Sequence, residues 1–109
     1  MNQVNFSGIT SSHWKNIEAR EVAPGIFERS LWREEAGSWV SVFEFLPGAR
    51  YPGVETHIDG AEQIFVISGI FNDGRDDHPE GSFIHNPIGS AHIPQSETGC
   101  TVLLKFQAA

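Results

Sequence analysis

The sequence predicts an all-β domain of many short strands, arranged as a sandwich or a barrel. Glycine and proline recur at short spacing, from Pro24-Gly25 through Pro47-Gly48, Pro52-Gly53, Gly60, Gly69, Gly74, Gly81, Pro87, Gly89 and Pro94 to Gly99. The runs between them are rich in Val, Ile, Phe and Trp, side chains that fit a pleated, half-buried surface. No segment carries a long apolar stripe at helical period, so strands joined by turns describe the chain better than helices.

In chain order, residues 1 to 11 are rich in Asn, Ser and Thr and lack a sustained period. They read as an N-terminal arm, mobile or loosely docked. Residues 12 to 109 then form one folded domain, since 109 residues support one core and not two. Ser12 to Arg20, with Trp14 and Ile17, is a minor helix candidate. Strands are expected over Ile26 to Arg33, Ser38 to Leu46, Gly53 to His57, Glu62 to Phe71, Gly81 to Asn86, Ala91 to Gln95 and Cys100 to Gln107. Within the fourth, Ile64-Phe65-Val66-Ile67 is apolar on both sides of the pleat, where a half-exposed strand would alternate. Its outer face should therefore be covered, by a second sheet or by a partner subunit.

Composition excludes some functions. The net charge is -7 with only 7 Lys and Arg, too few cations for a phosphate-binding surface, so nucleic acid is not an expected partner. The N-terminal residues lack a charged and then apolar leader, and no apolar run approaches the roughly 18 residues needed to span a bilayer. A cytoplasmic protein without membrane contact is the expectation. Cys100 has no partner for an internal disulfide and reads as a small buried apolar residue.

Four side chains of metal-ligand type stand at fixed offsets from glycines and prolines: Glu55-x-His57, then Glu62, and His92 at the end of Pro87-x-Gly89-x-x-His92. Residues i and i+2 of a strand share a face, so Glu55 and His57 can point inward together. A turn at Ile58-Asp59-Gly60-Ala61, with Gly60 supplying positive φ, would bring Glu62 beside them. The Pro/Gly turn at 87–89 would redirect the chain so that His92 enters from a neighbouring strand. Two carboxylates crowded inside a barrel repel and are desolvated, and one would be protonated unless a cation sat between them.

These two stretches resemble the paired signature motifs of the cupin superfamily. Glu55, His57, Glu62 and Gly69 fall on the ligand and glycine positions of the first motif, with Glu55 where the family usually has a histidine. Gly81, Pro87, Gly89 and His92 match the second in full. Pro47 to Pro52, Phe71-Asn72-Asp73 and Asn86 to Ser96 are similar to the ChrR-like cupins, which include the C-terminal domain of a zinc-containing anti-sigma factor and stand-alone cupins related to acetylacetone-cleaving dioxygenases. The resemblance covers roughly residues 12 to 107. It implies a double-stranded β-helix, the RmlC-like jelly-roll barrel, holding one divalent ion on Glu55, His57, Glu62 and His92, and a homodimer.

Two histidines and two carboxylates would give a divalent ion a neutral shell. The harder oxygen ligands move preference from zinc(II) toward iron(II) or manganese(II), while the Irving–Williams order favours zinc or copper in raw affinity, so iron(II), manganese(II), nickel(II) and zinc(II) all stay open. Glu55 is read as a ligand, with a rim carboxylate the alternative, and as the base for deprotonating substrate. The leading expectation is an iron-type dioxygenase acting on a small oxygenated molecule such as a diketone. The other is a non-catalytic ligand or redox sensor, with a sigma-factor-linked partner protein, although these residues contain no Cys/His zinc motif of the anti-sigma kind. His85 reads as a surface or interface residue, His13 and His78 as exposed. Asp73, Asp76 and Asp77 read as a solvated acidic turn, since calcium-loop spacing is absent.

Overall fold

In the computed structural model, which describes residues 3–109, the chain forms eleven strands and one short 3₁₀ turn. They are β1 (Arg20–Ala23), β2 (Ile26–Arg33), β3 (Trp39–Phe45), β4 (Ala49–Arg50), β5 (Glu55–Thr56), β6 (Gly60–Asn72), β7 (Asp77–Pro79), β8 (Phe83–Asn86), β9 (Ala91–His92), β10 (Gln95–Ser96) and β11 (Cys100–Ala108). A curled antiparallel sheet runs β1-β2-β3-β11-β6-β10-β4, with β7 and β8 also paired to β6, and β5 and β9 form a separate two-stranded ladder. This is the expected all-β double-stranded β-helix.

The 13-residue β6 organises the barrel. Its first half lies between β11 and β8, with Ile64 opposite both Leu104 and Ile84, while its second half pairs with β7 and β10. Inward residues of β2, β3, β6 and β11 build the core, including Ile26, Phe45, Ile64, Val66, Phe71, Val102 and Leu104. Cys100 belongs to that cluster as expected, and burial pushes its thiol up to about 11.

Several expectations change on contact with the structure. Ser12 to Arg20 holds only a 3₁₀ turn at Trp14–Asn16, because His13 Nδ1 accepts from the Lys15 amide and Ile17 is extended. The turn is tied to the barrel by Arg29, which donates to the carbonyls of Lys15 and Ile17 and lies over the Trp14 ring. The expected strand Ala91 to Gln95 is two, β9 and β10. Pro94 lacks an N–H and cannot continue a ladder, while the Ile93 amide leaves the sheet to bond Asp73 O. Gly60 has no positive φ and already sits in β6; a Cβ there would strike Gln107 O and the Phe106 ring. Strands β1, β4 and β7, two to four residues each, were too short to carry a pattern.

The described residues of the arm, 3–11, are exposed, as are Val4, Phe6 and Ile9 individually. On the outer face Phe65 is 43% and its cross-strand partner Phe83 63% exposed, so no second sheet covers them. No helix among the described residues is long and apolar enough to cross a membrane.

Candidate metal centre

The β5–β9 ladder sets the site. Glu55 and His92 are register partners across it, and the His57 amide bonds the Ser90 carbonyl just beyond its end. Glu62 enters from β6, two residues inside the strand end that Gly60 allows to approach β11 closely. Ligand-type atoms of Glu55, His57, Glu62 and His92 all lie within 4.8 Å of one another. The structure thus brings together all four residues singled out in the sequence.

The donor atoms face one point. His57 Nε2 is 3.2 Å from Glu55 Oε1 and 3.3 Å from Glu62 Oε2; His92 Nε2 is 2.9 Å from Glu55 Oε1 and 3.3 Å from Glu62 Oε1. His57, Glu62 and His92 are buried, and Glu55 is 31% exposed. Glu62 Oε1 is buried yet accepts no well-formed hydrogen bond.

A sequence reading missed Ser90, although it lies inside the second motif. Its hydroxyl donates to the Pro87 carbonyl at 2.6 Å and sits 3.1 Å from His57 Nδ1. With its proton committed to that carbonyl, Ser90 Oγ is left to accept from Nδ1–H, which assigns the tautomer and leaves Nε2 as a lone pair aimed at both carboxylates. A lone pair facing two carboxylates is unfavourable without a proton or a cation between them. This donor set, with the orphaned Glu62 oxygen, fits a divalent ion.

The ionisation pattern agrees. Burial pushes the Glu62 carboxyl up, and the charge of Glu55 adds to that, outweighing His92 and His57. Burial also raises Glu55, but hydrogen bonds from His92, Glu62 and His57 and the charge of His92 together bring it below its ordinary value. Burial lowers His92, yet the two carboxylates overcome it and push the imidazole up to about 9. Without a metal, the crowding of the two carboxylates shows as a rise at Glu62 and a raised His92 imidazole facing both.

A cavity of about 340 Å³ opens onto this cluster. Glu55 and Glu62 line it, apolar side chains including Ile26, Phe43, Phe45, Ile64, Phe71 and Leu104 form its walls, and Arg20, Glu28 and Arg33 complete its polar lining. Trp39 borders both this cavity and a smaller recess beside His57 and Phe106.

The remaining candidates lie elsewhere. His85 is exposed beside Gln63 on the outer face, and His13 is exposed, as expected. His78 is not exposed as expected, but half-buried, its Nε2 2.8 Å from Asp73 Oδ2. Asp73 organises its turn by accepting from the amides of Arg75 and Asp76.

The barrel and its two-His, two-Glu cluster define a cupin. More narrowly, the chain belongs to the ChrR cupin-like domain family, whose model matches residues 9–109. Among curated proteins none matches. The fold resembles the anti-sigma factor ChrR of Rhodobacter sphaeroides, solved with SigE (20% identity, TM-score 0.75, covering 87% of this chain and 51% of that one), so the chain spans about half of that protein. It also resembles an RmlC-like cupin from Shewanella frigidimarina (20%, 0.76, 90% and 89%). A third similar structure is a candidate acetylacetone dioxygenase from Methylibium petroleiphilum (15%, 0.80, 97% and 81%). At these identities the likeness speaks for the fold.

Proposed function

We propose that this cupin is a metal-dependent dioxygenase of the iron type acting on a small β-dicarbonyl compound. The observation that carries the reading is the cluster of Glu55, His57, Glu62 and His92, two of whose members, Glu55 and Glu62, line a mostly apolar cavity, the arrangement of a buried site that takes an organic substrate. A bound divalent ion would supply Lewis-acid activation of a carbonyl and, as iron(II), a place for dioxygen. The protein's own contribution is positional and protolytic. Ser90 fixes the His57 ring; the apolar wall excludes water around the substrate; Glu55, the most exposed carboxylate of the cluster, accepts the proton from the carbon between the two carbonyls. A homodimer formed through the Phe65/Phe83 face completes the reading, supported by the apolar outer side of β6 and β8.

The test is oxygen uptake by iron-reconstituted protein given acetylacetone or benzoylacetone. Uptake in the wild type and its loss in Glu55→Gln are expected; no uptake by fully loaded protein, or full turnover in Glu55→Gln, overturns the reading.

The family match favours a second reading, a non-catalytic sensor that holds zinc and works through a sigma-factor-linked partner, as the solved complex of ChrR with SigE suggests. Stoichiometric zinc in the purified protein, no turnover with any of the metals, and co-purification of a sigma factor would select it.

A further inference from the structure

The cavity lining holds a second group of charged side chains, apart in sequence from the cluster. Glu28 points inward from β2 and is 7% exposed, with Ser41 Oγ donating to its Oε2 at 2.8 Å and Arg20 Nη2 donating to its Oε1 at 2.7 Å. One guanidinium and one hydroxyl already satisfy a buried carboxylate. A second guanidinium is nevertheless present: Arg33 Nη2 stands 3.5 Å from Glu28 Oε2, too far for a strong bond, and its Cζ lies over Trp39 at 5.8 Å. Arg20 and Arg33 are 71% and 55% exposed and both line the cavity. Two cations against one anion leave this group with a surplus of one positive charge and several unused N–H donors in planar forks. At the cluster, two carboxylates and a divalent ion would cancel.

We infer that Arg20 and Arg33, held by Glu28, form a carboxylate-binding group in the substrate cavity, so that the compound it takes carries an apolar body with a carboxylate as well as the metal-directed oxygens. The substrate class is then a β-diketone whose apolar body bears a remote carboxylate, rather than a neutral diketone. This rests on the β-dicarbonyl reading above and narrows it. The mostly apolar lining that the two groups share suits an aryl or branched alkyl body. Arg33 is a specificity residue with free donors; Glu28 is a positioning residue that acts through the arginines.

The test compares two ligands of the same body, anionic 4-acetoacetylbenzoate and neutral benzoylacetone, by calorimetry on zinc-loaded protein, where binding is read without turnover. The carboxylate is expected to bind at least about tenfold tighter, the size of one charge-assisted contact. Arg33→Gln, which leaves the Arg20–Glu28 bond in place, should remove about half of that preference on a logarithmic scale, and Arg20→Gln/Arg33→Gln should bring the two ligands within about twofold. Cooperative melting of the metal-loaded variants well above the assay temperature serves as the folding control, since the double substitution leaves the buried Glu28 without a guanidinium. Equal affinities in the wild type, failure of the carboxylate to bind, or a preference that survives the double substitution would each overturn the inference. Oxygen uptake by iron-loaded protein reports separately on the parent reading. Arginine-dependent binding without uptake keeps the carboxylate site and removes the dioxygenase; uptake with arginine-independent binding does the reverse.

Discussion

Glu55 and His92 face each other across the β5–β9 ladder, with Glu55 Oε1 2.9 Å from His92 Nε2. A two-residue strand on each side therefore fixes a carboxylate–imidazole contact that a metal would have to replace. The imidazole is held up at about 9, so near neutral pH the metal-free site carries a proton that must leave before His92 can ligate. Metal binding at mildly alkaline pH should release about one proton from His92, measurable by calorimetry in buffers of different ionisation enthalpy. Because the folded value lies above the ordinary 6.5, the contact stabilises metal-free protein fully below 6.5 and loses that contribution as pH rises toward 9. Melting temperatures of the metal-free protein should fall across that window, and those of the metal-loaded protein should not. Parallel curves for the two forms would refute the exchange of proton for metal.

Ser90 should matter without touching a metal. Its hydroxyl accepts from His57 Nδ1 while donating to Pro87 O, which orients the ring and chooses its tautomer. Ser90→Ala should weaken metal affinity by about 10–100-fold, the usual effect of removing such an outer partner, with little change in fold. Ser90→Thr keeps the hydroxyl and should recover most of it. Competition with a chromophoric chelator measures both; wild-type affinity in Ser90→Ala would deny Ser90 its positioning role.

Much of this was legible from the chain, for physical reasons. Strands β2, β3, β6 and β11 were found within one or two residues because long runs with a buried face leave an alternating pattern, and the four clustered side chains were found because the i, i+2 pair and the turn motifs fix their offsets. Strands of two residues leave no period, so β4 was missed and the break at Pro94 was smoothed over. The Gly60 error came from reading a glycine as a turn former when a close strand crossing required it. Arg20, Glu28 and Arg33 were invisible as a group, since only the β1–β2 and β2–β3 pairings carry them to one cavity.

The glycine offset of the first motif ends at Gly69, which has φ +75° and would place a Cβ against Gly99 O and 2.8 Å from Cys100 Cα. Gly89 has φ +93° but open space around it. Gly69→Ala should therefore cost more than the roughly 1–3 kcal/mol of backbone strain alone, and Gly89→Ala about that strain and no more. Urea melts of the two variants separate them; equal losses would mean that the β6–β11 crossing gives way easily.

The outer face of β6 and β8 exposes Phe65 and Phe83 side by side in register. If two copies meet there, as proposed, Phe83→Lys should shift sedimentation from dimer to monomer while leaving the cluster on the opposite side of the sheet able to load metal. Paired aromatics at a desolvated interface centre typically carry 2 kcal/mol or more of binding energy each, so a change of roughly 30-fold or more in dimer dissociation constant is expected. A wild-type protein that sediments as a monomer at all concentrations would refute the dimer, as would a Phe83→Lys variant with unaltered assembly.

Asp73 gives the turn between β6 and β7 its own acid sensitivity. Burial works to raise its carboxyl, but the amides of Asp76 and Arg75 and the His78 ring outweigh it and hold the group at about 2, below its ordinary 3.8. A depressed value means that the carboxylate stabilises the fold above 3.8 and that this contribution is lost as pH falls toward 2. Asp73→Asn keeps an oxygen for the amides and loses the charge-assisted partner of His78, so at neutral pH it should cost about 1 kcal/mol, a modest figure because the turn is partly in water. The gap in melting temperature between variant and wild type should then close as pH is lowered from 4 toward 2. A gap that persists undiminished at pH 2 would mean that the asparagine disturbs the turn sterically and that the Asp73 charge contributes nothing to the fold.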